Sequence, residues 1–207
     1  MSVRKVYGSM NCPDTLKVIT SLFEHNLDFD FISIDFLNGE NLLKPFLSMN
    51  PFGKGPVFQD KDFSQFGARS ILRAMGHQYA KNVSEPLIFH NGKEQAIVSN
   101  WIDVEDDHFE PAARELITMI SSKLPNDENV IFKFGMVLDE YETRLGKSPY
   151  LAAKRFTIAD LLHIPNLHTL METAVTKKLI ESRPKVAAWC NQLLARPAWK
   201  KVLDMKK

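Results

Sequence analysis

Cys12 stands directly before Pro13 at the foot of an apolar-periodic stretch, residues 14–25 (DTLKVITSLFEH). The spacing of Leu16, Ile19, Leu22 and Phe23 marks that stretch as a helix. A thiol at a helix start feels the positive end of the dipole, which favours the nucleophilic thiolate. Asp14 opposes this with its own charge, and position 15 is Thr, which excludes a two-thiol redox cycle. The alternative for Cys12 is a small buried residue without thiol chemistry. His108, on a long helical stretch, is a candidate acid or base in a reaction that needs no peptide thiol. Lys54, between two glycines, either meets an anionic ligand or is solvated. Asp103, Glu105, Asp106 and Asp107 read as a solvated acidic face. The six histidines are dispersed and no His-Glu-x-x-His occurs, so no metal site is expected. The chain also lacks a Gly-rich phosphate loop and a Gly-x-Ser-x-Gly elbow.

The elements that must position these residues follow from periodicity. Residues 3–7 (VRKVY) alternate as a strand, and residues 29–36 (FDFISIDF) return to period 2 with apolar residues on both faces, as in a central strand. A short helical stretch follows. Residues 56–58, the turn at 60–62 and Phe63 read as a hairpin, and residues 66–80 as a helix with Ile71, Leu72, Met75 and Tyr79 inward. The order is β-α-β-α-β-β-α over residues 1–80. Residues 81–93 are polar, interrupted by Pro86 and Gly92, and read as a linker. Residues 94–207 are helical. One long period runs through Ile97, Trp101, Val104, Phe109, Ala112, Leu116 and Ile120, with a bend expected at Pro111. Further helices carry Phe134, Leu138 and Tyr141, begin near Thr157, and hold Val186, Trp189 and Leu193. Thr157 and Asp160 have the spacing of a capping box, and Pro56 after Gly55 is a candidate cis-proline. The fold class is thus an α/β unit followed by an all-α unit.

Composition narrows the partners. The chain has 207 residues, with 26 Lys and Arg against 25 Asp and Glu, balanced in both parts, which argues against nucleic acid. No apolar run suits a membrane span, and MSVRKVYG has no apolar signal core, so a cytoplasmic protein is expected. Cys12 and Cys190 are expected to be free thiols.

Several stretches together resemble the glutathione transferase superfamily, and within it the plant phi class. They are Lys5-Val6-Tyr7-Gly8, Phe46-Leu47-Ser48-Met49-Asn50-Pro51-Phe52-Gly53, Phe66 with Arg69-Ser70-Ile71, Phe156-Thr157-Ile158-Ala159-Asp160-Leu161, and Arg196-Pro197-Ala198-Trp199. The resemblance implies a thioredoxin-like domain plus a helical domain, glutathione as co-substrate, a hydrophobic substrate pocket and a homodimer. It also implies site positions. A phi-class Ser that activates the glutathione thiol corresponds to Cys12, and the Cys12-Pro13 pair is similar to the start of cysteine-type transferases and glutaredoxins. The glycine end of glutathione corresponds to Asn41 and Leu42, its cysteine portion to Lys54, Gly55 and Pro56, and its γ-glutamyl end to Gly67 and Ala68. Met10, Asn11 and Phe36, with His108, Phe109, Ala112, Leu116 and Ile117, correspond to the hydrophobic pocket.

The family patterns Gly-Glu-His-Lys, Gly-Gln-Val-Pro and Phe-Glu-Ser-Arg read here Gly39-Glu40-Asn41-Leu42, Gly53-Lys54-Gly55-Pro56 and Phe66-Gly67-Ala68-Arg69. Leu42 cannot bind a carboxylate. Gly67 and Ala68 remove a carboxylate and a hydroxyl. Charge-assisted hydrogen bonds are worth about 1.5–3 kcal/mol each. Losing two or three costs on the order of a hundredfold or more in affinity. The expectation is a family protein that binds a hydrophobic small molecule, carried or converted, with ordinary conjugation weak or lost. The alternative is a glutathione-dependent transferase or thiol transferase using Cys12.

Overall fold

The computed structural model describes residues 4–122 and 127–206. Val3, where the first strand is expected to start, lies outside them. The chain divides into two compact units. One runs to Ile88 and takes in the stretch from Pro197 onward; the other is Phe89–Arg196.

The first unit is built on a four-stranded sheet of order β2-β1-β3-β4, from β1 (Arg4–Gly8), β2 (Asp30–Ser33), β3 (Val57–Asp60) and β4 (Phe63–Phe66). β1 runs parallel to β2 and antiparallel to β3, which pairs antiparallel with β4. The crossover from β1 to β2 is helix α1 (Pro13–Glu24), as a parallel pair requires. The 3-10 turn Glu40–Leu42, helix α2 (Lys44–Leu47) and helix α3 (Ala68–Gln78) complete the expected order. Val6, Val18, Ile19, Leu22, Phe58, Ile71 and Leu72 have no exposed surface and form the core. β2 is an edge strand rather than a central one, and its residues are half-buried to exposed. Phe29 beside it packs edge-on to Phe23 of α1, at 5.5 Å between centroids. The expected linker is only partly surface. Ile88 is fully buried and lies so close to Gly76 that a Cβ there would stand 2.7 Å from Ile88 Cγ2. Residues 197 onward, grouped by sequence with the helices before them, form helix α11 (Pro197–Met205), which packs on α1.

The second unit opens with α4 (Gly92–Val104), two residues inside the expected linker. Asn91 caps it by accepting the Glu94 N–H at 3.0 Å. A single bent helix was the expectation at Pro111. The chain instead makes a π-helical turn at Glu105–Phe109, where the Glu110 N–H reaches the Glu105 carbonyl, and continues as α5 (Glu110–Ser121). Pro111 then falls in the first turn of α5, directly after the π-helical turn, where the regular bonding is already interrupted. Helices α6 (Glu128–Leu145), α7 (Ile158–Leu161), α8 (Ile164–Met171), α9 (Ala174–Glu181) and α10 (Pro184–Leu194) follow. Phe109, Tyr141, His163 and Trp189 form an aromatic core. His163 Nδ1 lies 2.8 Å from the Ala159 carbonyl, which can only accept, so Nδ1 carries the proton and Nε2 accepts from the Tyr141 hydroxyl at 3.0 Å.

The capping box forms as its spacing predicts. Thr157 N–H donates to Asp160 Oδ2 at 3.0 Å, with the reciprocal bond from the Asp160 N–H to the Thr157 side chain. Asp160 also accepts from the Thr157 hydroxyl at 3.1 Å, Leu151 N–H at 2.9 Å and Trp189 Nε1 at 3.0 Å. This carboxylate therefore ties α7 to the preceding loop and to α10. Burial pushes its pKa up, and the four donors act against that.

Candidate functional site

Gly8 ends β1, and a Cβ there would stand 2.4 Å from Thr15 Oγ1. Its lack of a side chain lets Thr15 accept the Ser9 N–H at 3.3 Å, which draws the loop 8–12 onto the start of α1. Cys12 occupies the N-cap position, half-buried, donating its N–H to Ser9 O at 3.0 Å and accepting from Leu16 N at 3.1 Å. The thiol makes no capping bond. Asp14, whose charge opposes a thiolate in the sequence reading, is engaged by the fully buried Lys17 Nζ at 3.0 Å. Met10 is half-buried and Asn11 exposed on the same loop.

Asn41 and Leu42 lie on the 3-10 turn. Asn41 Nδ2 donates to the Gly53 carbonyl at 2.6 Å, which holds two loops together, while its buried Oδ1 has no hydrogen-bond partner. Leu42 is 65% exposed. Asn50, which sequence reasoning passed over, is buried; its amide donates to the Lys54 carbonyl and its Oδ1 accepts the Phe52 N–H at 3.0 Å. The Lys54 backbone is thereby fixed while its side chain is exposed. An Asn before Pro51 was the available signal, because Asn side chains bond the backbone two residues on. The Gly55–Pro56 peptide is cis. Phe36 presses on Gly55, with its Cζ 2.5 Å from where a Cβ would be.

At the third position of the site, the Gly67 N–H donates to the Pro56 carbonyl at 3.2 Å. Gly67 has φ +82° and nothing within 4 Å of its missing Cβ; Ala68 begins α3 and is buried. The first unit therefore contains Met10, Asn11, Cys12, Phe36, Asn41, Leu42, Lys54, Gly55, Pro56, Gly67 and Ala68 on its loops and helix starts.

In the second unit, His108 is exposed within the π-helical turn. Phe109, expected as a ligand contact, has no exposed surface and lies 4.4 Å from the His163 ring. Leu116 is equally buried and Ala112 nearly so; Ile117 is half-buried. The apolar stripe of this helix is thus core of the helical unit at Phe109 and Leu116. Cys190 is fully buried, and burial pushes its thiol up to about 12. Among the described residues no group of three or more His, Cys, Asp or Glu is placed to hold a metal ion.

The family model for the glutathione S-transferase N-terminal domain matches residues 2–73, and that for the C-terminal domain matches residues 114–197. Glutathione S-transferase APIC of Nicotiana tabacum is 41% identical over 208 residues, covering 97% of each chain. A glutathione S-transferase of Hyoscyamus muticus is 39% identical, covering 98% of each. Among solved structures, glutathione transferase F2 of Populus trichocarpa is similar with a TM-score of 0.91 and 35% identity over 98% of each chain. A serine-to-cysteine mutant of poplar glutathione transferase F1 is similar with a TM-score of 0.90 and 31% identity, covering 98% of this chain and 97% of that one. With both halves matched and relatives of such identity spanning its length, the chain belongs to the glutathione S-transferase family, among the plant phi-class members.

Proposed function

We propose that this chain is a divergent phi-class protein that binds a hydrophobic small molecule, carrying it or converting it, with ordinary glutathione conjugation weak or lost. The observation that carries the reading is the start of α3. Gly67 and Ala68 offer no carboxylate or hydroxyl where the family's Glu and Ser hold the γ-glutamyl end of glutathione. The glycine end is no better served, since Asn41 Nδ2 donates to Gly53 and Leu42 is apolar. By family resemblance the protein works as a homodimer in the cytoplasm and uses no metal. Two assays on the unaltered protein test the reading. It predicts no retention on immobilised glutathione and little conjugation of chlorodinitrobenzene. Strong retention together with conjugation at a rate typical of its relatives would overturn it.

The second reading, a thiol transferase, is favoured by Cys12 itself. It stands half-exposed at the start of a 12-residue helix, with the nearby Asp14 charge countered by Lys17. Disulfide exchange with a glutathionylated peptide that disappears in Cys12→Ser would select this reading over carriage.

A further inference from the structure

We propose that Ser148, on the helical unit, is a phosphorylation site, taking a phosphoryl group from a nucleoside triphosphate through a proline-directed protein kinase. Ser148 precedes Pro149, and no other Ser or Thr of the chain stands before a proline. That pair is what the proline-directed class reads. The residue before a proline is biased to extended backbone, the form in which a substrate segment passes through a kinase cleft. The fold leaves the pair within reach. It lies between α6, which ends at Leu145, and α7, which begins at Ile158, in a stretch without helix or strand. Lys147 and Pro149 on either side are exposed, and Ser148 itself is half-buried. In the transfer, the hydroxyl oxygen bonds to the γ-phosphorus and the bond from that phosphorus to the leaving diphosphate breaks. The hydroxyl proton passes to the kinase's general base.

The loop around Ser148 is built so that the added charge exchanges one contact for another. Ser148 Oγ donates to the Ala153 carbonyl at 2.7 Å and closes the loop on itself. Phosphorylation removes that donor and puts in its place a group of charge about −1.5 to −2 at neutral pH. Cations flank the new group. Lys147 is its neighbour in the chain, and Lys154 follows the residue whose carbonyl Ser148 meets. Both lysines are exposed, and among the described residues neither forms an ion pair. Glu94, the carboxylate facing the same recess, is engaged by Asn91 Nδ2 at the start of α4. The rest of the loop stays anchored. Arg144 Nε donates to the Leu151 carbonyl at 2.6 Å, the Leu151 N–H donates to Asp160 at 2.9 Å, and the Leu151 side chain is buried. The modification thus trades the Ser148–Ala153 bond for a bridge from Lys147 through the phosphate to Lys154, made of charge-assisted bonds.

The test is incubation of the full chain with an active mitogen-activated protein kinase and Mg-ATP, followed by mass spectrometry and phosphorus-31 NMR. One phosphate per chain is expected, mapped by fragmentation to Ser148 and lost in Ser148→Ala. The melting temperature checks that the variant is folded; fragmentation of the wild-type protein carries the assignment should it not be. The phosphoserine resonance reports the second ionisation of the phosphate, ordinarily at about pH 6. Between the two lysines its midpoint is expected to lie at least about half a pH unit below that in Lys147→Gln with Lys154→Gln. Added salt is expected to narrow the gap. A folded chain that takes no phosphate at Ser148, with the kinase active on a control peptide, overturns the proposal. A midpoint that is the same with and without the two lysines overturns the bridge.

Discussion

Phe36 occupies the space that a side chain at Gly55 would need, with its Cζ 2.5 Å from the position of a Cβ there. The ring is locked from the other side by Phe46, edge-on at 5.9 Å, within the cluster of Ile34 and Val57. The family's Val at this position is therefore incompatible with Phe36 as it stands. Gly55→Val is expected to destabilise the protein by about 1–3 kcal/mol, the usual cost of overpacking. Combining it with Phe36→Leu should recover part of the loss. Denaturant melts of the four proteins in the cycle check this; strictly additive effects would mean that the two positions are not coupled.

Asp160 predicts a second set of stabilities. Thr157→Ala should cost about 0.5–2 kcal/mol, as for the loss of an N-cap. Asp160→Ala should cost more, because it leaves the Leu151 N–H and Trp189 Nε1 in the interior without an acceptor. Unchanged melting temperatures in both variants would show the box to be redundant.

The two thiols should separate cleanly. Cys12 is half-buried at a helix start, whereas Cys190 is fully buried and its thiol is pushed up to about 12. Ellman's reagent is expected to titrate one thiol in the native protein and two after unfolding, with the native signal lost in Cys12→Ser. Two native thiols would contradict the placement of Cys190.

His25 sets part of the pH dependence. Burial lowers its pKa, and its Nδ1–H donates to the Ser21 carbonyl at 2.7 Å. A group whose folded pKa lies below its unfolded value adds stability above the unfolded value, near 6.5, and loses it as pH falls through the folded one. Stability should therefore begin to decline below about pH 6.5. His25→Asn should flatten that limb relative to its own neutral-pH stability; an identical slope in the variant would assign the decline to other groups.

What could be read from the residues alone divides along physical lines. The switch from period 2 to period 3.6 and back is local, so the element order through residue 80 was legible, as were the Thr157–Asp160 box and the unusual peptide before Pro56. Long-range pairings left no such trace. Nothing near Gly55 announces that Phe36, nineteen positions earlier, fills its space. Apolar residues on both faces of 29–36 suggested a central strand, but Phe29 finds its partner in Phe23 of the crossover helix and the strand lies at the edge. The stripe through Phe109 and Leu116 told which residues turn inward, not what covers them. The partners of Phe109 sit on α6 and beside α8, at Phe134, Tyr141 and His163. At Asn41 the residue type left its amide open to a ligand, and only the fold commits its Nδ2 to Gly53.

The central claim, that the peptide site has lost its anchors, is tested most directly by calorimetric titration of glutathione into the wild type and into Gly67→Glu with Ala68→Ser. The double variant is expected to lose about 1–3 kcal/mol of stability, since Gly67 holds φ +82°, a region that L side chains rarely enter. The space around position 67 is open, so the new carboxylate has room. The account predicts a wild-type dissociation constant in the millimolar range or weaker, and about a tenfold or greater gain in the variant. Micromolar binding by the wild type, with no gain in the variant, would contradict it.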